Sequence, residues 1–121
     1  MSSVVNCIFC QIVSGNISAD IVYRDDTIVC FKDIKPAAPV HLLVVTCEHI
    51  DSLSCVGPAH AGALSNMLLI ADKLARDNAS PDGFRFVINT GRVGCQEVMH
   101  LHGHILGGAD PLRISRIGAV R

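Results

Sequence analysis

Apolar positions recur along this chain with two different periods, and the points where one gives way to the other mark the elements. "CIFCQIVSG" (7–15) reads as a short helix, with Gly15 suited to the left-handed residue that ends one. "IVYRD" (21–25) and "TIVCFKD" (27–33) are β-rich runs joined at Asp25-Asp26, a place for a hairpin turn. Pro36 and Pro39 in "IKPAAP" lack ladder donors, so that stretch is not a central strand. "HLLVVTC" (41–47) then resumes as a strand.

From Pro58 to Asn78 the period lengthens to that of a helix. Leu64, Met67, Leu68, Ala71, Leu74 and Ala75 fall on one stripe that should face a core, and Pro58 sits in the permitted first turn. "SPDG" breaks the pattern. "FRFVINT" (84–90) alternates as a strand, "GRVGCQE" (91–97) is a loop, and "VMHLHGHILGG" (98–108) is the last strand. This order predicts an α+β fold with an antiparallel sheet of about five strands, one long helix and a short N-terminal helix. Residues 1–121 are expected to form a single domain, with 109–121 as a tail.

Composition narrows the classes. Charged residues make up 17%, below the usual quarter, which leaves little charge to coat a monomer and favours a buried subunit interface. The net charge of −1 carries no broad electrostatic footprint for nucleic acid, so any bound phosphate should be small and locally held. No apolar run is long enough for a membrane-spanning helix, and "MSSVVNCIFCQIVSGN" lacks the pattern of an export signal. Six cysteines are too sparse for a disulfide scaffold and should be reduced, so a cytoplasmic, soluble protein is expected.

The candidate chemistry begins at "HLHGH" (100–104). On a strand, His100, His102 and His104 would project to one side, ready to bind a metal, bind an anion or divide their labour. At roughly 3.3 Å per residue the outer two lie about 13 Å apart, too far to converge on one ion without a strong bend. His100 is therefore free to join another site. Cys7-x-x-Cys10 offers two thiolates, and His49 closes a strand. Cys7, Cys10, His49 and His100 are expected to form a structural Cys₂His₂ zinc site tying the N-terminal helix to the sheet. The competing reading of Cys7 and Cys10 is a pair of inert thiols. His60 reads as a surface histidine.

"HLHGHIL" resembles the His-φ-His-φ-His-φ-φ signature of the histidine triad family of nucleotide hydrolases and transferases, with Gly103 where a bulkier apolar residue is usual. "FKDIKPAAPVHLLVV", "EHI", "VINTG" and "GCQEV" follow the family's order, so the resemblance spans nearly residues 7–108. The third histidine is similar to the hydrolase branches, and "LGG" after it to the Hint branch of nucleoside phosphoramidases. The resemblance implies a homodimer that hydrolyses purine nucleoside phosphoramidates, with His102 as nucleophile, His104 at the phosphate and leaving group, and His41 completing the cluster. It also implies that Asp33 binds the ribose hydroxyls and that Ile8, Phe9, Ile12 and Ile34 wall the purine. Asn89, Gln96, Glu97 and the Val98 amide would hold the phosphate and leaving-group side. Two alternatives stand beside it: a dinucleoside polyphosphate hydrolase, and a nucleotide-binding scaffold with incidental activity. Glu97 stands where many relatives carry Ser, Cys95 replaces a loop glycine, and "RISRIGAVR" (113–121) matches no family pattern.

Overall fold

The computed structural model describes residues 6–113. The chain runs through α1 (Ile8–Val13), β1 (Ile21–Arg24), β2 (Ile28–Lys32) and β3 (Val40–Thr46). Two short 3₁₀ turns (Leu53–Cys55 and Pro58–His60) then lead into α2 (Ala61–Leu69), α3 (Ala71–Asp77), β4 (Arg85–Val87) and β5 (His102–Gly107). The strands form one antiparallel sheet in the order β1-β2-β3-β5-β4. This is the α+β architecture expected from the pattern. No helix among the described residues is long and apolar enough to cross a membrane. Of the expected tail, residues 114–121 lie outside the described part.

Local chemistry accounts for the element ends. Cys7 adopts extended backbone and its sulfur accepts the Cys10 N–H at 3.3 Å, capping α1 with a thiol. Gly15, at φ +85°, closes that helix in the left-handed conformation expected of it. Asp25 Oδ1 accepts the Thr27 and Ile28 N–H groups at 2.8 and 2.9 Å, which fixes the turn between β1 and β2.

The sheet has two working faces. Val29, Phe31, Leu43 and Val45 pack with Phe9, Ile12 and Val13 of α1 on one side. Ile28, Cys30, Leu42, Val44 and Ile105 pack with Met67, Ala71, Leu74 and Ala75 on the other. The long helix runs nearly unbroken from Pro58, because Ile70 keeps helical dihedrals and its N–H bonds Asn66 O at 3.1 Å between α2 and α3. Leu68 departs from the expected stripe. It lies on the flank opposite Leu74 and is 63% exposed beside Leu69.

Two strands are shorter than their patterns. Only Arg85–Val87 of "FRFVINT" pairs with β5. The last strand starts at His102, not Val98, because the preceding residues serve other partners: Leu101 N–H bonds Ile50 O at 2.6 Å.

Gly103, the departure from the family signature, has a packing reason. It faces the helices, and a Cβ there would fall inside van der Waals contact of the Phe86 ring from the neighbouring strand. The aromatic ring covers the glycine and replaces the missing side chain. Gly103→Val should therefore lower stability by about 1–3 kcal/mol through overpacking. Adding Phe86→Ala to that variant should recover part of the loss in thermal denaturation. Equal melting temperatures for Gly103→Val and the parent would show that Phe86 does not set the residue at 103.

Candidate functional site

Register puts three histidines on the α1 face. In the β3–β5 pairing Leu43 lies opposite His104 and Val45 opposite His102. Odd positions of β3 and even positions of β5 thus share one side, and His41, one step diagonal from His104, joins them. All three are buried.

Hydrogen bonds assign the protons of the neutral rings. His41 Nδ1 accepts the Ala37 N–H at 2.9 Å, so its own proton sits on Nε2. That nitrogen lies 2.9 Å from His104 Nδ1, to which it donates, leaving the His104 proton on Nε2. His102 Nδ1 lies 2.6 Å from the His100 carbonyl, which can only accept. Its Nε2 therefore keeps the lone pair, as a nucleophile requires. One ring thus presents a lone pair and its neighbour an N–H, with ring centroids 5.0 Å apart.

A cleft of about 210 Å³ opens on His102 and His104. Ile8, Phe9 and Ile12 of α1 form one wall, Asp33, Ile34 and Val98 its rim. Phe9 stands edge-to-face on His102, centroids 5.0 Å apart. These are the expected purine and ribose positions, brought together. Asp33 also lies 3.5 Å from His41 Nε2, while its other oxygen accepts the Lys35 N–H at 2.8 Å.

Of the residues expected on the phosphate side, Val98 lines this cleft. Asn89, Gln96 and Glu97 do not line this cleft. Gln96 donates to the Asp51 and Val98 carbonyls at 2.8 and 2.9 Å and accepts the Gly91 N–H at 3.0 Å, so its amide clamps the loop. Glu97 lines a separate surface cleft with Cys7, His49 and Asp51. Cys95 holds a left-handed φ of 59°, the conformation that favours the glycine it replaces. Phe31 and Leu43 line the cleft floor and were missed. Their signal was available, since both share the strand parity of His41.

The remaining histidines join the cysteines. Leaving the strand early turns the His100 ring away from the row and toward α1. His100 Nδ1 lies 3.2 Å from Cys7 Sγ and 3.5 Å from Cys10 Sγ, and His49 Nδ1 lies 3.2 Å from Cys10 Sγ. All four ligand atoms fall within 4.8 Å of one another. In a tetrahedral zinc site, with bonds of about 2.3 Å to sulfur and 2.0 Å to nitrogen, sulfur and nitrogen sit about 3.5 Å apart. The outer ring nitrogens are also spoken for: His100 Nε2 bonds the Thr46 carbonyl and His49 Nε2 the Asp51 carboxylate, each at 2.7 Å. Those bonds leave both Nδ1 lone pairs directed at the thiols, as metal ligands need. Burial pushes the His100 imidazole down to about 4, against the opposing hydrogen bond to Thr46, so the ring is neutral at neutral pH. The residues fit zinc.

Asp33, His41 and His104 also converge within 4.8 Å. The Ala37 N–H forces the His41 proton into the middle of that group, so it is built around a proton and not a metal. Cys30 takes part in neither cluster; burial pushes its thiol up to about 12.

Comparison with known proteins agrees with this geometry. The profile of the scavenger mRNA decapping enzyme C-terminal binding family matches residues 6–116. Protein HitA of Neisseria gonorrhoeae is 50% identical over 102 residues, covering 84% of this chain and 95% of that protein. The purine nucleoside phosphoramidase of Escherichia coli K12 is 42% identical over 102 residues, covering 84% and 86%. The crystal structure of a HIT family hydrolase from Legionella pneumophila superposes with a TM-score of 0.82 at 42% identity, covering 87% of this chain and 95% of that one. A Zn-bound histidine triad family protein from Mycobacterium smegmatis superposes with a TM-score of 0.77 at 29% identity, covering 91% and 80%. With the triad histidines on one face and relatives this similar along most of its length, the chain belongs to the histidine triad family and is a nucleotide hydrolase.

Proposed function

We propose that this hydrolase cleaves purine nucleoside phosphoramidates through a nucleotidyl-His102 intermediate. The observation that carries the reading is the 2.6 Å contact of His102 Nδ1 with the His100 carbonyl, which reserves Nε2 for phosphorus. In the first step Nε2 forms a bond to the α-phosphorus as the phosphorus–nitrogen bond breaks. The departing nitrogen carries its own proton from the protonated phosphoramidate and leaves as a neutral amine, while the His104 Nε2–H, its ring steadied by His41, hydrogen-bonds a phosphoryl oxygen. Water then attacks phosphorus as the phosphorus–His102 bond breaks, its proton passes to the released amine, which leaves as an ammonium, and the nucleoside monophosphate departs with His102 restored. The α1 wall receives the purine, and Asp33 at the rim accepts from the ribose hydroxyls. The 42% identity to a purine nucleoside phosphoramidase supports this substrate class.

His102→Ala should reduce turnover of an adenosine phosphoramidate by several orders of magnitude. Protein quenched during turnover should show the mass of an added nucleotide in the parent and none in the variant. Near-parental turnover by His102→Ala would remove the covalent mechanism.

Structural zinc in the Cys7, Cys10, His49 and His100 cluster is part of the same reading. Purified protein should carry one zinc per chain. Cys10→Ser should lose it and melt earlier, while His102→Ala should keep it. Acid should release the ion, because protons compete for thiolates and imidazoles. Retention of zinc by Cys10→Ser with loss from His102→Ala would reverse the division of the histidines.

The protein is also assigned as a homodimer in a reducing, cytoplasmic setting. All six cysteines are free thiols. Strand β4 ends the sheet, and α2 exposes Leu68 and Leu69 to 63% and 78%. Leu69→Glu should halve the mass measured by sedimentation; an unchanged mass would take this face out of the interface.

A further inference from the structure

Cys7 and Cys10 hold the short helix to the sheet through partners far along the chain. Cys10 Sγ meets His49 Nδ1, 39 residues on, at 3.2 Å, and Cys7 Sγ meets His100 Nδ1, 93 residues on, also at 3.2 Å. The two sulfurs lie within 4.8 Å of each other, and their spacing in the chain suits a bond between them. Residues i and i+3 on a helical turn have Cα atoms roughly 5 Å apart, inside the usual disulfide range of about 4.4–6.8 Å. Access to the pair is unequal. Cys7 lines a surface cleft of about 430 Å³ with His49, Asp51 and Glu97, whereas Cys10 is 3% exposed and does not line it. Cys30, on the helix-facing side with its thiol pushed up to about 12 by burial, does not compete as a nucleophile. Between Cys7 and Cys10 stand Ile8 and Phe9, which wall the cleft over His102, and the Phe9 ring meets His100 and His102 edge-on.

We infer that Cys7 and Cys10 form a thiol oxidation site, at which a hydroperoxide converts the pair to a disulfide and unties α1 from the sheet. The Cys7 thiolate attacks one oxygen of the peroxide, the O–O bond breaks, and a Cys7 sulfenic acid forms as hydroxide or alkoxide leaves. The Cys10 thiolate then attacks the Cys7 sulfur, the S–O bond breaks, and hydroxide leaves. Two electrons pass from the sulfurs to the peroxide, and two protons from solvent complete its reduced products. With both thiolates consumed, His49 and His100 are two ligands, too few for a closed tetrahedral site. Ties reaching 39 and 93 residues along the chain give way to one that closes a single helical turn. A loop that short constrains the unfolded chain least, so the fold loses stability. The wall that carries Ile8 and Phe9 loosens with it. A transient disulfide of this kind is the one a reducing compartment allows. Loss of metal on oxidation rests on the zinc reading above, whereas the disulfide does not.

The full chain as purified, treated with equimolar hydrogen peroxide, supplies the test. Mass spectrometry should find two hydrogens lost from the peptide that holds Cys7 and Cys10. A colorimetric chelator should register zinc released in step with the disulfide. Adenosine 5′-monophosphate should then bind about 3–10-fold more weakly in calorimetry, the cost of ordering loosened wall side chains on binding. The oxidised chain should also melt earlier, and dithiothreitol with added zinc should restore both properties. Cys10→Ser should stop at a Cys7 sulfenic acid that dimedone captures. Cys55→Ser combined with Cys95→Ser removes the two exposed thiols and should respond as the parent does, which keeps the test open if Cys10→Ser fails to fold. Oxidation confined to Cys55 and Cys95, or a Cys7–Cys10 disulfide that leaves nucleotide affinity and melting unchanged, would overturn the inference. Protein purified without zinc that still forms the disulfide and then binds the monophosphate more weakly would uphold it and count against the zinc reading alone.

Discussion

The antiparallel register of β3 on β5 is the constraint on which the rest of the molecule depends. With Leu43 opposite His104 and Val45 opposite His102, the histidines share a face with the apolar floor of the cleft and with α1. A slip of one residue in β5 would send both rings into the helix-facing core and bring Gly103 and Ile105 to the cleft. The register is protected on the helix-facing side. Ile105, Leu42 and Phe86 lock the helix face, and Gly103 accepts the Phe86 ring where a side chain would not fit. The glycine that departs from the family signature thus helps to hold the histidine-bearing strand in place.

Much of this was legible because period and parity are local. The α1 end at Gly15, the turn at Asp25, the faces of β2 and β3 and the helix after Pro58 follow from residues within a few positions of each other. The division of "HLHGH" between two clusters was also readable, although its cause was not. His100 leaves the row because Leu101 bonds Ile50 and the His100 ring bonds Thr46, partners about fifty residues away. Gln96 is a similar case. Its amide is consumed by Asp51, Val98 and Gly91, and no spacing rule shows that a polar side chain in a loop is already committed. Leu68 turned outward because a stripe on a helix has two flanks and the sheet covers only one of them.

Histidine chemistry here is decided by the second ring nitrogen. In the Cys/His cluster the outer nitrogens donate to a carbonyl and a carboxylate, so the inner ones offer lone pairs that suit a cation. In the Asp33–His41–His104 group a backbone N–H takes the outer nitrogen of His41, so the inner one carries a proton. Two groups of comparable compactness, each within 4.8 Å, are thereby prepared for different ions. Residue type and distance alone do not separate them; the direction of one hydrogen bond does.

The same bookkeeping explains how a site with few fixed cationic side chains can handle phosphate. Among the described residues no arginine lines the cleft, and the one lysine that does, Lys32, faces Asp20 at 3.6 Å. Charge that develops on the phosphoryl oxygens must then be met by groups that do not repel an incoming neutral base: ring N–H donors and backbone dipoles. A neutral imidazole serves this where a lysine would not, because one of its nitrogens can donate a hydrogen bond to a phosphoryl oxygen while the other accepts one from a neighbouring ring. Burial of His41 and His104 beneath the apolar wall keeps competing water from these donors, and the register of β3 on β5 sets the distance between the two rings.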